Sequence, residues 1–490
     1  MKNQAQLIAY VDRCSGGAFR DLQRLLDGPL RDAFGGVHIL PFFHPIDGAD
    51  AGFDPIDHTE VDRRLGSWDD VRALALRTEI MADVIVNHIS SRSPQFIDFD
   101  ARGGASPHAG LFLTFARVFP HGASEADLLA LHAIRPGLPF TQHQTTHGER
   151  VLLWTTFTSQ QIDIDVRHPQ GRQYLAAILA RFQSAGIRAI RVDAAGFAVK
   201  KAGTSCFMIP ETLAFIADLT GQARALGLEV LVEMHGHFLD QARIARQVDW
   251  VYDFVLPPLV LHTLYTRDAT SLCRWIDIRP GNSVTVLDTH DGIGVLDAGP
   301  DHEARPGLLT RSEIHALVEE IHERNGGQSL KATGSAAGNL DADQINCTFY
   351  DALGGRDDEH LVARAIQCFL PGIPQVYYVG LLAGRNDLAL LARTGVGRDI
   401  NRHYFTADEV RQQLGQPVVE RTLALLKLRN THPAFAGVFD ASRSTRDHLA
   451  LAWSLERDWI RLDVDLTRMH AAAVGSAGPD PLWQSSLGRI

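Results

Sequence analysis

The sequence predicts a (β/α)8 TIM barrel with inserted domains after strands three and seven and a small β domain at the C-terminus. Short, almost continuously apolar runs alternate with amphipathic segments along most of the chain, as in parallel strands that are buried on both faces and joined by helices. The 490 residues suit this fold, because eight βα units take about 250 residues and commonly carry insertions. Residues 89–167 and 292–357 are too long for simple loops, and each follows a strand.

Eight apolar runs are the candidate barrel strands. In chain order they are QLIAYVD (6–12), GVHILPF (36–42), MADVIVNH (81–88), IRAIRVD (187–193), EVLVEMH (229–235), WVYDFVLP (250–257), SVTVLDTHD (283–291) and IPQVYYVG (373–380). Helix signals lie between them: Ser67 and the acids after it are typical of an N-cap, and residues 169–186 carry one apolar face and end at Gly186.

These signals divide the chain into four parts. The catalytic barrel takes residues 1–88 and 168–435, inserted domain B takes 89–167, a second insertion within the barrel takes 292–357, and a small C-terminal β domain takes 436–490. A helix over 417–430 and an alternating pattern within 446–466 support the last boundary. After about residue 470 the pattern fades, and no element is predicted there.

Composition excludes several functional classes. The chain has 47 Lys and Arg against 58 Asp and Glu, a net charge of −11, which disfavours binding to nucleic acid or to an anionic membrane surface. No run is long enough for a signal peptide or a membrane span. The five cysteines form no C-x-x-C pair, which favours a reducing cytoplasm over a disulfide framework. With no Walker loop, dinucleotide fingerprint or metal-ligand cluster, we expect neither cofactor nor metal.

Carboxylates lie at the ends of three predicted strands: Asp193 on strand four, Glu233 on strand five and Asp291 on strand seven. Because the carboxyl ends of barrel strands meet at one rim, these acids should converge. Arg191 shares a strand face with Asp193 and would keep its carboxylate ionised. A retaining glycosidase uses a carboxylate nucleophile and a proton-donating acid about 5–5.5 Å apart.

Each of these acids alone would more often be solvated or salt-bridged than catalytic. Their convergence beside Arg191 favours catalysis. In the same way His88 and His290 could be hydrogen-bonded core residues, but their place at strand ends favours contact with a sugar.

Several motifs resemble the α-amylase superfamily of retaining glycoside hydrolases: DVIVNH (83–88), IRVDAAG (190–196), LVEMH (231–235) and LDTHD (287–291), with QIDID (161–165) before strand four. Longer runs resemble the sucrose phosphorylase branch of that superfamily. They are LPFFHPIDGADAGFDPIDHTEVDRRLGSWDD (40–70), KKAGTSCFMIP (200–210), TVLDTHDGIGV (285–295), PGIPQVYYVG (371–380) and GRDINRHY (397–404). The resemblance covers about residues 1–435.

The resemblance implies a role for each site residue. Asp193 would be the nucleophile, Glu233 the general acid and base, and Asp291 the stabiliser of the transition state. The residues implied to bind the glucosyl unit are Asp50, Phe53, His88, Phe157, Gln161, Arg191, His290 and Arg398. The residues implied on the acceptor side, where phosphate enters, are Arg135, Phe197, His235, Asp341, Asp343 and Gln344.

The resemblance implies reversible phosphorolysis of sucrose to α-glucose 1-phosphate and fructose through a β-glucosyl-aspartate, without a cofactor and with a homodimer as a candidate assembly. Two departures concern the acceptor: Phe197 replaces a common tyrosine, and Asp343 replaces a common aromatic residue. Other branch members use sucrose 6′-phosphate, glucosylglycerol or glucosylglycerate, so these donors are alternatives, as is a hydrolase or transglucosidase with the same acids. A non-catalytic barrel is disfavoured because all three acids are present.

Overall fold

The barrel consists of eight parallel strands in the computed structural model, which describes residues 1–48, 50–132, 137–146, 148–301, 305–333 and 344–486. The strands are β1 (Gln6–Ala9), β2 (Gly36–Ile39), β3 (Glu79–Ile85), β4 (Ala189–Asp193), β5 (Glu229–Val232), β6 (Trp250–Asp253), β7 (Ser283–Thr285) and β8 (Ile373–Tyr377). They close in the order β1-β8-β7-β6-β5-β4-β3-β2. Each overlaps its predicted run, and the predicted fold class is confirmed.

All of the barrel strands except β4 end before their predicted runs do, and the difference is largest for β6 and β7. β6 stops at Asp253, and a helix begins at Leu256, so the predicted run 250–257 is part strand and part helix. β7 stops at Thr285, six residues before Asp291. Beyond its end, the buried carboxylate of Asp288 accepts two hydrogen bonds of 2.8 Å from Arg364.

The contacts divide the chain into two compact units, each described by itself. The first comprises residues 1–38, 235–246 and 251–490. In it β1 pairs with β8, β8 with β7 and β7 with β6, all in parallel. A short antiparallel ribbon joins Ile293–Gly294 to Gln344–Ile345. Its α-helices are Val11–Cys14, Phe19–Asp27, Phe238–Ala245, Leu256–Thr266, Thr270–Ile278, Arg311–Arg324, Gln328–Thr333, Phe349–Ala352, Asp357–Phe369, Tyr378–Leu381, Leu388–Thr394, Ala407–Leu414 and Pro417–Thr431.

An antiparallel sheet forms the C-terminal part of the first unit. Its strands are β9 (Val438–Asp440), β10 (His448–Leu455), β11 (Asp458–Asp465), β12 (His470–Gly475) and β13 (Gly478–Gln484), paired in chain order. The expectation of no element after residue 470 was wrong. Alanine lies on both faces of β12, so its alternating burial leaves no contrast in the sequence, and Trp483 anchors β13 by donating to the Arg421 carbonyl at 2.9 Å.

The second unit comprises residues 39–234 and 247–250. β4 lies between β3 and β5 and pairs in parallel with both. Its α-helices are Trp68–Ala75, Pro94–Arg102, Phe115–Val118, Glu125–Leu129, Pro169–Ser184 and Pro210–Ala225. Its antiparallel ribbons join Phe43–His44 to Asp57–Val61, His88–Ser90 to Gln161–Asp163 and Phe140–Gln144 to Arg150–Trp154.

Local helix signals in the second unit correspond to the sequence. The carboxylate of Asp70 accepts hydrogen bonds from the backbone N–H and the hydroxyl of Ser67, 2.9 and 2.8 Å long, at the start of the helix Trp68–Ala75. The helix Pro169–Ser184 buries the predicted face through Leu175 and Phe182. Both helix predictions are confirmed. Within the described residues, no helix has the length and apolarity that crossing a lipid bilayer requires.

Candidate active site

The guanidinium of Arg191 joins three carboxylates in the second unit. Its Nη1 donates to Asp83 Oδ1 at 2.5 Å and to Asp193 Oδ1 at 2.8 Å, and its Nη2 donates to Glu233 Oε1 at 2.6 Å. Arg191 is only 2% exposed, so these charge-assisted bonds are shielded from water. The arrangement holds Asp193 ionised and fixes it beside Glu233, as a nucleophile with a neighbouring acid requires.

The backbone turn after Asp193 fixes the other oxygen of Glu233. Ala194 has the left-handed conformation, with φ 53° and ψ 28°, and its N–H donates to Glu233 Oε2 at 3.1 Å. A non-glycine residue in this region costs about 1–3 kcal/mol, so the surrounding contacts must hold it there. Both oxygens of Glu233 are therefore fixed by residues of β4 and its end.

His88 lies on the ribbon strand that follows β3. Its Nε2 donates to the Phe53 carbonyl at 2.9 Å, and the Gln161 side-chain nitrogen lies 3.1 Å from the same atom. Burial lowers the pKa of His88, so the imidazole is neutral at neutral pH. The Phe53 ring lies 5.5 Å from the Arg191 guanidinium, and the Asp50 carbonyl accepts from the Phe53 N–H at 2.8 Å. The second unit thus brings five predicted sugar ligands together.

Aromatic rings continue from His88 along this side of the site. The Phe157 ring meets His88 edge to face with centroids 5.2 Å apart, and Phe197 meets Phe157 in the same way at 5.5 Å. Phe207 packs on Phe197 at 4.6 Å. Phe157 and Phe197, predicted on opposite sides of the reaction, are therefore direct neighbours.

Asp291 is surrounded by cationic and imidazole groups in the first unit. Arg398 Nη1 lies 3.0 Å from its Oδ1, and His290 Nε2 lies 3.2 Å from its Oδ2. Arg402, which is fully buried, donates from Nε to the His290 carbonyl at 2.9 Å and has Nη2 3.8 Å from Asp291. These contacts favour an ionised Asp291, as a stabiliser of positive charge needs.

His235 directly follows the strand run that contains Glu233 and lies in the first unit. Its ring stacks on Phe254 with centroids 4.1 Å apart, and its Nε2 lies 3.0 Å from the side-chain nitrogen of Gln344. Two predicted acceptor residues, His235 and Gln344, are therefore in contact. The predicted residues Arg135, Asp341 and Asp343 lie outside the described residues.

Two named relatives match almost the whole chain, whereas no protein-family model matches it. A sucrose phosphorylase of Agrobacterium vitis is 58% identical over 487 residues, covering 99% of this chain and 100% of that protein. A sucrose phosphorylase of Bifidobacterium adolescentis is 47% identical and covers 100% of this chain and 97% of its own. The chain belongs to the sucrose phosphorylase family.

A solved member of this family of phosphorylases has the same fold. The crystal structure of sucrose 6F-phosphate phosphorylase from Thermoanaerobacter thermosaccharolyticum has a TM-score of 0.89 and 36% identity, and the match covers 97% of this chain and 96% of that one. The resemblance to the α-amylase superfamily and its sucrose phosphorylase branch is confirmed.

Lys200 contacts a predicted site residue, Phe197, and was not itself predicted from the sequence. Its ammonium donates to Asn87 Oδ1 at 2.7 Å and to the Phe197 carbonyl, and it lies 2.8 Å from Asp163 Oδ2. The side chain is 1% exposed, and Asp163 also accepts two hydrogen bonds from Thr156. This ion pair ties the end of β3, the ribbon that carries His88 and the turn after β4 together.

Asp83 and Arg402 also contact predicted site residues and were not predicted from the sequence. The signal for Asp83 is an acid inside the otherwise apolar run of β3, where a buried charge requires a partner. The signal for Arg402 is its place in GRDINRHY, four residues after Arg398. Among the described residues, no group of three or more His, Cys, Asp or Glu side chains could hold a metal ion.

Proposed function

We propose that this chain catalyses the reversible, retaining phosphorolysis of sucrose to α-glucose 1-phosphate and fructose, a reaction of the glycosyltransferase class. The observation that carries the proposal is the Arg191 cluster, which supports a nucleophile and an acid side by side. The 58% identity to the Agrobacterium vitis sucrose phosphorylase supports sucrose as donor and phosphate as acceptor.

In the first half-reaction, Asp193 attacks the anomeric carbon of the glucosyl unit while Glu233 protonates the departing fructose oxygen. The bond between glucose and fructose breaks, and a β-glucosyl-aspartate forms. Arg191 keeps Asp193 ionised for the attack. Asp291 is the proposed stabiliser of the positive charge that develops at the anomeric carbon.

In the second half-reaction, a phosphate oxygen attacks the same carbon and the bond to Asp193 breaks. Glu233, now a carboxylate, accepts the phosphate proton, so each residue returns to its initial state. Two inversions give the α anomer of glucose 1-phosphate. Water in place of phosphate would give free glucose by the same steps.

The remaining site residues divide between the two substrates. We assign the glucosyl unit to Asp50, Phe53, His88, Phe157, Gln161, Arg191, His290 and Arg398, and the acceptor side to Arg135, Phe197, His235, Asp341, Asp343 and Gln344. The contacts of His88 with Phe53 and Phe157 and that of His235 with Gln344 support these two groups.

The test is an incubation with sucrose in the presence and absence of phosphate, followed by separate measurement of glucose 1-phosphate and free glucose. Phosphate-dependent glucose 1-phosphate is expected. Equal rates of free glucose with and without phosphate would instead indicate a hydrolase or transglucosidase with the same acids.

Phosphorolysis of another α-glucoside is the second candidate, because the solved structure with a TM-score of 0.89 is a sucrose 6F-phosphate phosphorylase. The acids Asp341 and Asp343 disfavour an anionic leaving group, which would require additional cations. A panel of sucrose, sucrose 6′-phosphate, glucosylglycerol and glucosylglycerate decides between them, and the highest kcat/KM is expected for sucrose.

Three further proposals concern organisation. The four-part division with barrel, domain B, second insertion and C-terminal β domain can be tested by limited proteolysis at its boundaries. A homodimer can be tested by light scattering coupled to size-exclusion chromatography. The five free cysteines support a reducing cytoplasm, which cell fractionation tests.

A further inference from the structure

Asp291 lies on a turn that the barrel sheet does not itself place, because β7 ends at Thr285, six residues earlier. Thr289 and Gly292 form an isolated antiparallel bridge, so His290 and Asp291 are the central residues of the turn. The hydrogen bond that closes it runs from the Gly292 N–H to the Thr289 carbonyl and is 3.5 Å long, which is weak for an N–H donor. The conformation of this turn therefore depends on contacts from other segments.

The two ends of the turn are fixed by different means. At its start, the Asp288 carboxylate accepts its two hydrogen bonds of 2.8 Å from Arg364. At its end, Gly292 has φ 109°, a conformation that favours glycine, and a Cβ atom there would lie 2.5 Å from the Ile345 carbonyl oxygen. The chain is thus held on both sides of Asp291.

Two neighbouring side chains bind the main chain between these ends. Asn401 Nδ2 donates to the Thr289 carbonyl at 2.8 Å, and Arg402 Nε donates to the His290 carbonyl at 2.9 Å. Asn401 is 1% exposed and Arg402 is fully buried, so little water competes for either carbonyl. Because a carbonyl oxygen can only accept a hydrogen bond, the side-chain amide of Asn401 must present its nitrogen to the turn.

A barrel strand fixes the position of Asn401. The hydroxyl of Tyr377, the last residue of β8, donates to the Asn401 carbonyl at 2.9 Å, and Tyr377 is fully buried. Asn401 also ends the short 3₁₀ helix Gly397–Asn401, which carries Arg398, and Arg398 Nη1 lies 3.0 Å from Asp291 Oδ1. The contacts therefore run from β8 through Tyr377 and Asn401 to the turn that carries Asp291.

We propose that Asn401 is a positioning residue for Asp291: its side-chain hydrogen bond to Thr289 sets the place of the Asp291 carboxylate relative to the sugar. This inference deepens the proposed function and rests on it. Arg402 also contributes charge, because its Nη2 lies 3.8 Å from Asp291, whereas the amide of Asn401 is neutral. Asn401 thus separates the effect of position from the effect of charge.

The experiment compares Asn401→Leu with wild type by the release of fructose from sucrose in the presence of inorganic phosphate. Among the described residues, Asn401 Oδ1 has no hydrogen-bond partner, so leucine removes one side-chain hydrogen bond with little change in volume. Because Asp291 would stabilise the transition state rather than the bound sugar, we expect kcat to fall about ten- to hundredfold. KM for sucrose and for phosphate should change by less than about threefold.

Asn282→Leu is the matched control. Asn282 precedes β7 at the other end of that strand, and its Nδ2 donates to the Ala245 carbonyl, also at 2.8 Å. Because the N-terminal ends of barrel strands serve stability rather than catalysis, its kcat should stay within about twofold of wild type. Urea unfolding of both variants separates loss of stability from loss of activity. An equal fall in kcat in the two variants overturns the inference.

A double variant tests whether Asn401 acts through Asp291. The donor here is α-glucosyl fluoride, because its reactive leaving group keeps slow variants measurable. If Asn401 positions Asp291, then Asn401→Leu lowers kcat no further in the Asp291→Asn background. Fully additive effects in the double variant overturn the inference.

Tyr377→Phe serves if Asn401→Leu fails to fold, since it removes one hydroxyl and keeps the ring in β8. We expect it to lower kcat about two- to tenfold with little change in KM, the value of one neutral hydrogen bond. The wild-type kcat in whichever of these variants folds contradicts the inference. Wild type that releases fructose but forms no glucose 1-phosphate would instead overturn the proposed function, and the kcat for fructose release would still decide the role of Asn401.

Discussion

The charges around Arg191 and the charges around His235 are arranged in opposite ways. Around Arg191 one guanidinium serves three carboxylates, and the arginine is 2% exposed on a barrel strand. Around His235 one buried carboxylate, that of Asp297, serves an imidazole whose side chain is 29% exposed and lies after a strand. The first arrangement therefore places negative charges around one buried cation, and the second places one buried negative charge beside a partly exposed ring.

This difference explains how a family can keep one donor chemistry while its members differ in substrate. The relatives named above are sucrose phosphorylases and a sucrose 6F-phosphate phosphorylase. Arg191 and Asp193 lie on a barrel strand, whereas His235 lies after one, and loops are the segments in which proteins of one fold commonly differ.

The largest expected effect is at Asp193, the proposed nucleophile. Asp193→Asn should reduce fructose release from sucrose by roughly 10⁴-fold or more, because the amide cannot form the glucosyl-enzyme. Asp301→Asn, which removes a carboxylate paired with Arg305, is the control and should retain activity. Activity of Asp193→Asn within about tenfold of wild type would show that Asp193 is not the nucleophile.

Replacing Lys200 tests how much the buried cation on the donor side contributes to the stability of the protein. Lys200→Met leaves Asp163 buried and unpaired and should lower the free energy of unfolding by about 3–5 kcal/mol. Lys201→Met is the matched control: that ammonium pairs with Glu211 at the surface, and its loss should cost about 1 kcal/mol or less. Urea unfolding measures both, and equal losses would show that burial does not distinguish the two lysines.

Buried His58 predicts a pH dependence on the donor side. Its ring nitrogen lies 3.2 Å from the Asp83 carbonyl, and burial lowers the pKa of His58 from 6.5 to about 4. Between these values the unfolded chain binds a proton that the folded chain does not, so stability is present above pH 6.5 and falls toward pH 4. The loss is roughly 3 kcal/mol for this group.

The measurement is urea unfolding at several pH values for wild type and His58→Gln. The glutamine variant should show a smaller fall in the free energy of unfolding across this window, while the other titrating groups contribute equally to both proteins. The same slope in both would show that His58 does not titrate in this way.

The smallest expected effect lies on the acceptor side. Phe197→Tyr adds a hydroxyl to a ring between Phe157 and Phe207 and should change KM for phosphate or fructose by roughly two- to tenfold, the value of one neutral hydrogen bond. The kcat/KM for sucrose should change less. A larger change for sucrose than for the acceptors would assign Phe197 to the donor side instead.

The sequence predicts best what strand geometry determines. Alternation along β4 is enough to align Arg191 with Asp193, and apolar runs are enough to find all eight barrel strands. What it could not predict depends on partners far apart in the chain, such as Lys200 with Asn87 and Asp297 with His235. Strand ends were also misjudged: β7 ends at Thr285, and Asp288 beyond it pairs with Arg364, which is 76 positions away in the sequence.

The ammonium of Lys200 lies among three oxygens, from Asn87, Asp163 and the Phe197 carbonyl, an arrangement that would also suit a bound cation. A dissociable ion would leave such a place on dilution or in the presence of a chelator, and its occupancy would follow its concentration in the medium. A covalently tethered charge has no such equilibrium. The charge that neutralises Asp163 is therefore part of the chain itself and is present whenever the chain is folded.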